Sequence, residues 1–64
     1  MNIDTVETTI MEKVERIDGI MRKFIELGKE SGGDYEEEID DLLEIRYRYS
    51  VCKDRVEDIK VLRE

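Results

Sequence analysis

Hydrophobic positions recur along this chain in steps of three and four, in two runs separated by a glycine-rich break. The first run is Ile3, Ile10, Val14, Ile17, Met21 and Phe24, with Val6, Ile20 and Leu27 widening the stripe. Such spacing places apolar side chains on one face of an α-helix, predicted over about 3–29. Asp4 with Glu7 forms a candidate capping box at its start, and Asn2 is an alternative cap. The helix is expected to close between Gly28 and Gly33, where glycine supplies the left-handed conformation. Gly19 falls inside it, on the side assigned to solvent, and costs about 1 kcal/mol against alanine.

The second run is Tyr35, Ile39, Leu42, Ile45, Tyr49, Cys52, Val56 and Ile59, again at helical spacing. It predicts a helix over about 35–62, with Asp34 as N-cap and Glu37 completing a capping box. Within it, IRYRYSV (45–51) alternates apolar and polar in period two and is rich in β-formers, which is also a strand signature. The helical stripe continues on both sides of that segment and a lone strand has no partner, so helix is the preferred reading. The pattern therefore describes one all-α domain, residues 1–64, with a turn at about 30–34. Two helices of such length, each roughly 40 Å at 1.5 Å per residue, make an antiparallel hairpin. Residue i then stands near 65−i. One hairpin leaves half of each stripe uncovered, so dimerisation into a four-helix bundle is expected.

Composition narrows the chemistry. Sixty-four residues bury too little apolar surface to be comfortable alone, and such chains gain stability from disulfides, metals or oligomerisation. With one cysteine and no histidine, an internal disulfide and a Cys/His zinc site are both excluded. Cys52, on the stripe and without a histidine to activate it, is expected to be a small core residue. It fits a reducing, cytoplasmic setting. MNIDTVETT shows no basic leader or apolar run, and no stretch approaches the roughly 20 apolar residues of a membrane span. SGG is a turn and not a phosphate loop. No catalytic residue, metal, cofactor or small-molecule substrate is assigned, and a non-enzyme is expected.

The net charge of −7 is concentrated. Residues 34–44 hold seven acids and no base, leaving eleven acids and eleven bases in the other 53 residues. Direct binding to nucleic acid or an anionic membrane is disfavoured. The simplest origin of the block is a helix start, since carboxylates in a first turn interact well with the helix dipole. In the hairpin Arg22, Lys23 and Lys29 are expected beside the block, and Asp4, Glu7 and Glu12 beside Lys53, Arg55 and Lys60. Glu37, Asp40, Asp41 and Glu44 also form a candidate acidic face. Such a face suits an inhibitor of phage type that mimics nucleic acid to block a nuclease or a DNA- or RNA-binding protein.

Two resemblances bear on that block. Glu12-x-x-Glu15 with Glu37-x-x-Asp40 resembles the ExxE…ExxD pattern of the MazG-type all-α nucleotide pyrophosphatases, which implies a magnesium-dependent fragment of such an enzyme. In the hairpin, however, 37–40 stand level with 25–28, and residue 15 stands level with 50. The two pairs are thus about ten residues, roughly 15 Å, apart, and only pairing across a dimer would join them. The ExIDxLL portion is similar to a family of sporulation regulators, short helical hairpins carrying an SQELD signature; here that position reads EEEIDD, without the serine and glutamine. The likeness implies that a hairpin of this size can serve as a regulatory partner.

Helix 2 also carries apolar residues beyond its stripe: Leu43, Tyr47 and Val51, in steps of four, flanked by Arg46 and Arg48. Arginine and tyrosine dominate binding hot spots. These five residues are the candidate partner-binding ridge. The expected function is a protein–protein interaction module (adaptor, regulator or inhibitor) whose partners are itself, as a homodimer, and an unidentified protein.

Overall fold

The computed structural model describes residues 2–63. It consists of two α-helices, α1 (Ile3–Ser31) and α2 (Glu36–Arg63), packed along each other as an antiparallel hairpin measuring 52 × 16 × 14 Å. The segment 45–51 is helical throughout, and no strand occurs among the described residues.

Each helix end has a local cause. At the start of α1 the Asp4 backbone N–H donates to the Asn2 side-chain oxygen at 2.9 Å, so Asn2 is the cap and Asp4 lies inside the first turn. Its last turn closes through Gly32, whose φ of 68° is the left-handed region and whose N–H donates to the Gly28 carbonyl at 2.9 Å. Only glycine enters that region without a steric cost. The helix runs through Ser31, two residues beyond the sequence-based expectation. Its extra turn is helped by the Ser31 hydroxyl, which donates to the Leu27 carbonyl at 2.7 Å.

At the start of α2 the Asp34 carboxylate accepts from the Glu36 N–H at 3.0 Å, while the Tyr35 carbonyl accepts the first helical bond, from Ile39. Asp34 therefore caps from one position before the cap residue, in an Asx turn. Tyr35 then folds back onto Phe24, with ring centroids 5.5 Å apart. Gly33 makes room for it, since a Cβ there would stand 3.1 Å from the Tyr35 ring, and a Cβ on Gly28 would stand 3.2 Å from the Gly33 carbonyl oxygen.

The interface between the helices is narrow. Among the described residues Ile10, Ile17 and Val56 are buried, at 5%, 7% and 5% exposure, and no side chain is completely enclosed. On α1 the facing row is Ile3, Ile10, Ile17 and Phe24; on α2 it is Tyr35, Leu42, Tyr49 and Val56. Each is a heptad row, the repeat that keeps two helices in contact. Ile45, Cys52 and Ile59 are exposed in the hairpin, contrary to their expected place on the core stripe. The positions that flank the α2 row on its other side are half-buried instead, and they include Arg46, Lys53 and Lys60. Long basic side chains can cover apolar surface with their stems while their charged ends stay in water.

Candidate interaction surface

Ion pairs between the helices mark the register of the hairpin. Arg46 Nε donates to Asp18 Oδ1 at 2.8 Å, and Lys60 Nζ lies 3.0 Å from Asp4 and 3.5 Å from Glu7. Asp18 and Arg46, like Asp4 and Lys60, have numbers that add to 64, close to the expected register. The hydrogen bond to Asp4 is the largest influence on the Lys60 pKa; desolvation opposes it, and with the charges of Asp4 and Glu7 added the pKa stands above its ordinary value. Glu12, Lys53 and Arg55 form no such cross-helix pair, and Lys53 instead approaches Glu57 on its own helix at 3.8 Å.

These pairs give the hairpin two unlike sides. Because the helices run in opposite directions, a step of four residues from the facing row turns both helices to one side. A step of three turns both to the other. The four-step side holds Glu7, Val14 and Met21 with Arg46, Lys53 and Lys60, and is closed by the ion pairs. A shallow groove there is lined by Met11, Val14, Glu15, Arg46, Ser50 and Lys53. The three-step side holds Val6, Lys13, Ile20 and Leu27 with Glu38, Ile45, Cys52 and Ile59, and no ion pair crosses it among the described residues. It contains two grooves, one lined by Ile20, Lys23, Phe24 and Leu27 and one by Ile45, Arg48, Tyr49 and Cys52. Four apolar residues of this open side, Ile20, Leu27, Ile45 and Ile59, are 39–45% exposed.

The structure separates the candidate ridge into parts. Leu43 and Tyr47 point outward from α2, Tyr47 with 68% of its surface exposed, and Val51 lies half-buried one turn on. Arg46 is turned toward α1 by Asp18, and Arg48 is held by Glu44 on its own helix at 3.0 Å. The acidic residues Glu37, Asp40, Asp41 and Glu44 are all exposed on the outward part of α2 near the turn. Arg22, Lys23 and Lys29 form no ion pair with them among the described residues, so the expected cross-helix neutralisation of the block does not occur as contacts. Also among the described residues, no three His, Cys, Asp or Glu side chains are arranged to hold a metal ion. None of these helices is long and apolar enough to cross a membrane.

Asp18 was not singled out by the sequence pattern. Its signal was available in the register, which sets it level with Arg46. The geometry defines the chain as an antiparallel α-helical hairpin. Compared with known proteins, it matches no protein-family model, no curated protein and no solved structure at a significant level.

Proposed function

We propose that this protein is a non-enzymatic protein–protein interaction module, an adaptor, regulator or inhibitor, that works as a homodimer of hairpins forming a four-helix bundle. The observation that supports this reading is a large total exposed surface, with Ile20, Leu27, Ile45 and Ile59 half-exposed in one row and Met11, Ile25, Leu43, Tyr47, Val61 and Leu62 exposed outside it. The hairpin exposes 5367 Å², whereas a globular monomer of its mass exposes about 4,300 Å². The excess, on the order of 1,000 Å², is close to the roughly 800 Å² each partner buries in a standard interface. With only three buried apolar side chains, the isolated hairpin has little to offset the entropy of ordering its chain.

In this reading the open side is used for self-association, and the outward residues Leu43, Tyr47 and Val51 stay free for a second protein. Sedimentation equilibrium tests the dimer: a mass near twice 7.6 kDa is expected, and 7.6 kDa at all concentrations refutes it. Once a partner is captured, Leu43→Ala with Tyr47→Ala is expected to abolish its binding.

The exposed acidic block favours a second reading, an inhibitor that occupies a nucleic-acid-binding protein. Among the described residues Glu37, Asp40 and Asp41 have no ion pair. Changing Asp40, Asp41 and Glu44 to lysine is expected to abolish binding in that case and to leave ridge binding largely intact in the first.

A further inference from the structure

We infer that the two hairpins of the dimer meet open side to open side with their turns at opposite ends. This orientation rests on the dimer reading above and specifies its geometry. It follows from how charge is distributed along the open side and its margins.

In the register marked by Asp18–Arg46 and Asp4–Lys60, the open side has four levels. Val6 stands beside Ile59, Lys13 beside Cys52, Ile20 beside Ile45, and Leu27 beside Glu38. Two levels are wholly apolar, and each of the others carries one charge. Two hairpins can face each other about a two-fold axis in two ways. With the turns together, every level meets its own copy. Lys13 then shares a layer with Lys13 of the other hairpin, and Glu38 with Glu38. With the turns apart, the Leu27–Glu38 level meets Val6–Ile59, and the Lys13–Cys52 level meets Ile20–Ile45. Each layer then holds one charge, whose long side chain can reach the edge of the bundle.

The margins of the open side do not favour either arrangement until the turn is reached. They hold Thr9, Arg16 and Lys23 on α1 and Asp41, Arg48 and Arg55 on α2. Turns together places Arg16 against Arg48 twice and Lys23 against Asp41 twice. Turns apart places Arg16 against Arg16, Arg48 against Arg48, and Asp41 against Arg55 twice. The counts of repulsive and attractive contacts are equal. At the turn they differ. Turns together sets Glu30 against Asp34 and gathers both copies of the block 34–44, with seven acids and no base in each, within a screening length of about 10 Å. Turns apart moves the block centres to roughly 27 Å from each other, at 1.5 Å per residue, beyond the screening length of about 10 Å. Repulsion between blocks therefore selects the arrangement with the turns apart.

The test is the distance between the two turns. Lys29 is exposed near the end of α1 and serves as a labelling site: Lys29→Cys in a Cys52→Ala background, spin-labelled, with the dimer confirmed by sedimentation and the helicity by circular dichroism. A distance distribution centred at roughly 40 Å is expected. A centre at or below about 30 Å, the span of two outward labels on helices at the bundle diagonal, from a sample that sediments as a dimer, overturns the orientation and leaves the dimer standing. A sample that sediments at 7.6 kDa, as does the unmodified chain, overturns both. Charge reversal provides a second measurement on unlabelled protein. Asp41→Lys is expected to weaken self-association a few-fold at low salt, and Arg55→Glu in the same chain is expected to restore it. Restoration by Lys23→Glu, and not by Arg55→Glu, marks the arrangement with the turns together.

Discussion

The two sides of the hairpin are built from the same heptad geometry yet end differently. On the closed side, positions four residues from the facing row carry Arg46, Lys53 and Lys60 on α2, and acids on α1 reach two of them. On the open side, the equivalent positions carry Ile45, Cys52 and Ile59 opposite Ile20 and Val6, with no ion pair spanning the groove among the described residues. A polar seam is complete within one chain. An apolar strip of this width is covered only by another apolar surface, because its stabilisation scales with area removed from water. One chain can thus carry a finished edge and an unfinished one, and the difference lies in which flanking row is charged.

The comparison can be broken most strongly at the row both sides share. Ile17→Ala removes one of three buried side chains and is expected to cost about 2–5 kcal/mol, seen as a large fall in the urea midpoint. The next largest effect separates the sides. Ile20→Asp is expected to raise the dimer dissociation constant on the order of 100-fold, about 2.7 kcal/mol, in sedimentation. Met11→Asp, at a more exposed residue on the closed side, is expected to leave the mass unchanged. Gly19 touches neither side, and a Cβ there meets nothing within 4 Å. Gly19→Ala is therefore expected to stabilise by about 0.4–1 kcal/mol, measured by thermal unfolding.

On the closed side itself the effects are smaller. The Asp18 and Arg46 side chains are 30% and 43% exposed, so Asp18→Asn is expected to cost only a few tenths of a kcal/mol, vanishing near 1 M salt. The smallest effect is a pH dependence. The Lys60 pKa is raised above 10.5, chiefly by its hydrogen bond to Asp4. Its contribution is full below the unfolded value and is lost as pH rises through the higher folded value. Thermal unfolding followed from pH 9 to 12 is expected to show a slight loss that Asp4→Asn removes.

Much of this fold was legible in the sequence, because steps of three and four report helix and glycine reports its end. The position of each helix about its own axis was less legible. On α2 the apolar stripe spans Leu42, Tyr49 and Val56 together with Ile45, Cys52 and Ile59, and hydropathy alone does not say which part faces α1. In the structure Arg46 and Lys60 occupy half-buried positions beside Asp18, Asp4 and Glu7, while Ile45 and Ile59 are left outside. The candidate ridge was divided along the same line. Leu43 and Tyr47 remained outward, while Arg46 was recruited to the seam. The acidic block was visible as a run of letters, but its lack of cross-helix contacts depends on side-chain reach that spacing does not encode.

The placement of the buried residues has a further consequence, for the order in which the hairpin assembles. Ile17 lies midway along α1, and Ile10 and Val56 lie nearer the open ends. The turn is held by one aromatic pair and flanked by like charges. Closing the chain at the turn costs the least loop entropy but gains little there, and contacts that gain more enclose longer loops. Away from the turn, Val56 is buried and Lys60 is paired with Asp4 and Glu7. A folding nucleus displaced from the hinge is therefore expected, and a larger fall in folding rate for Ile17→Ala than for Tyr35→Ala checks it.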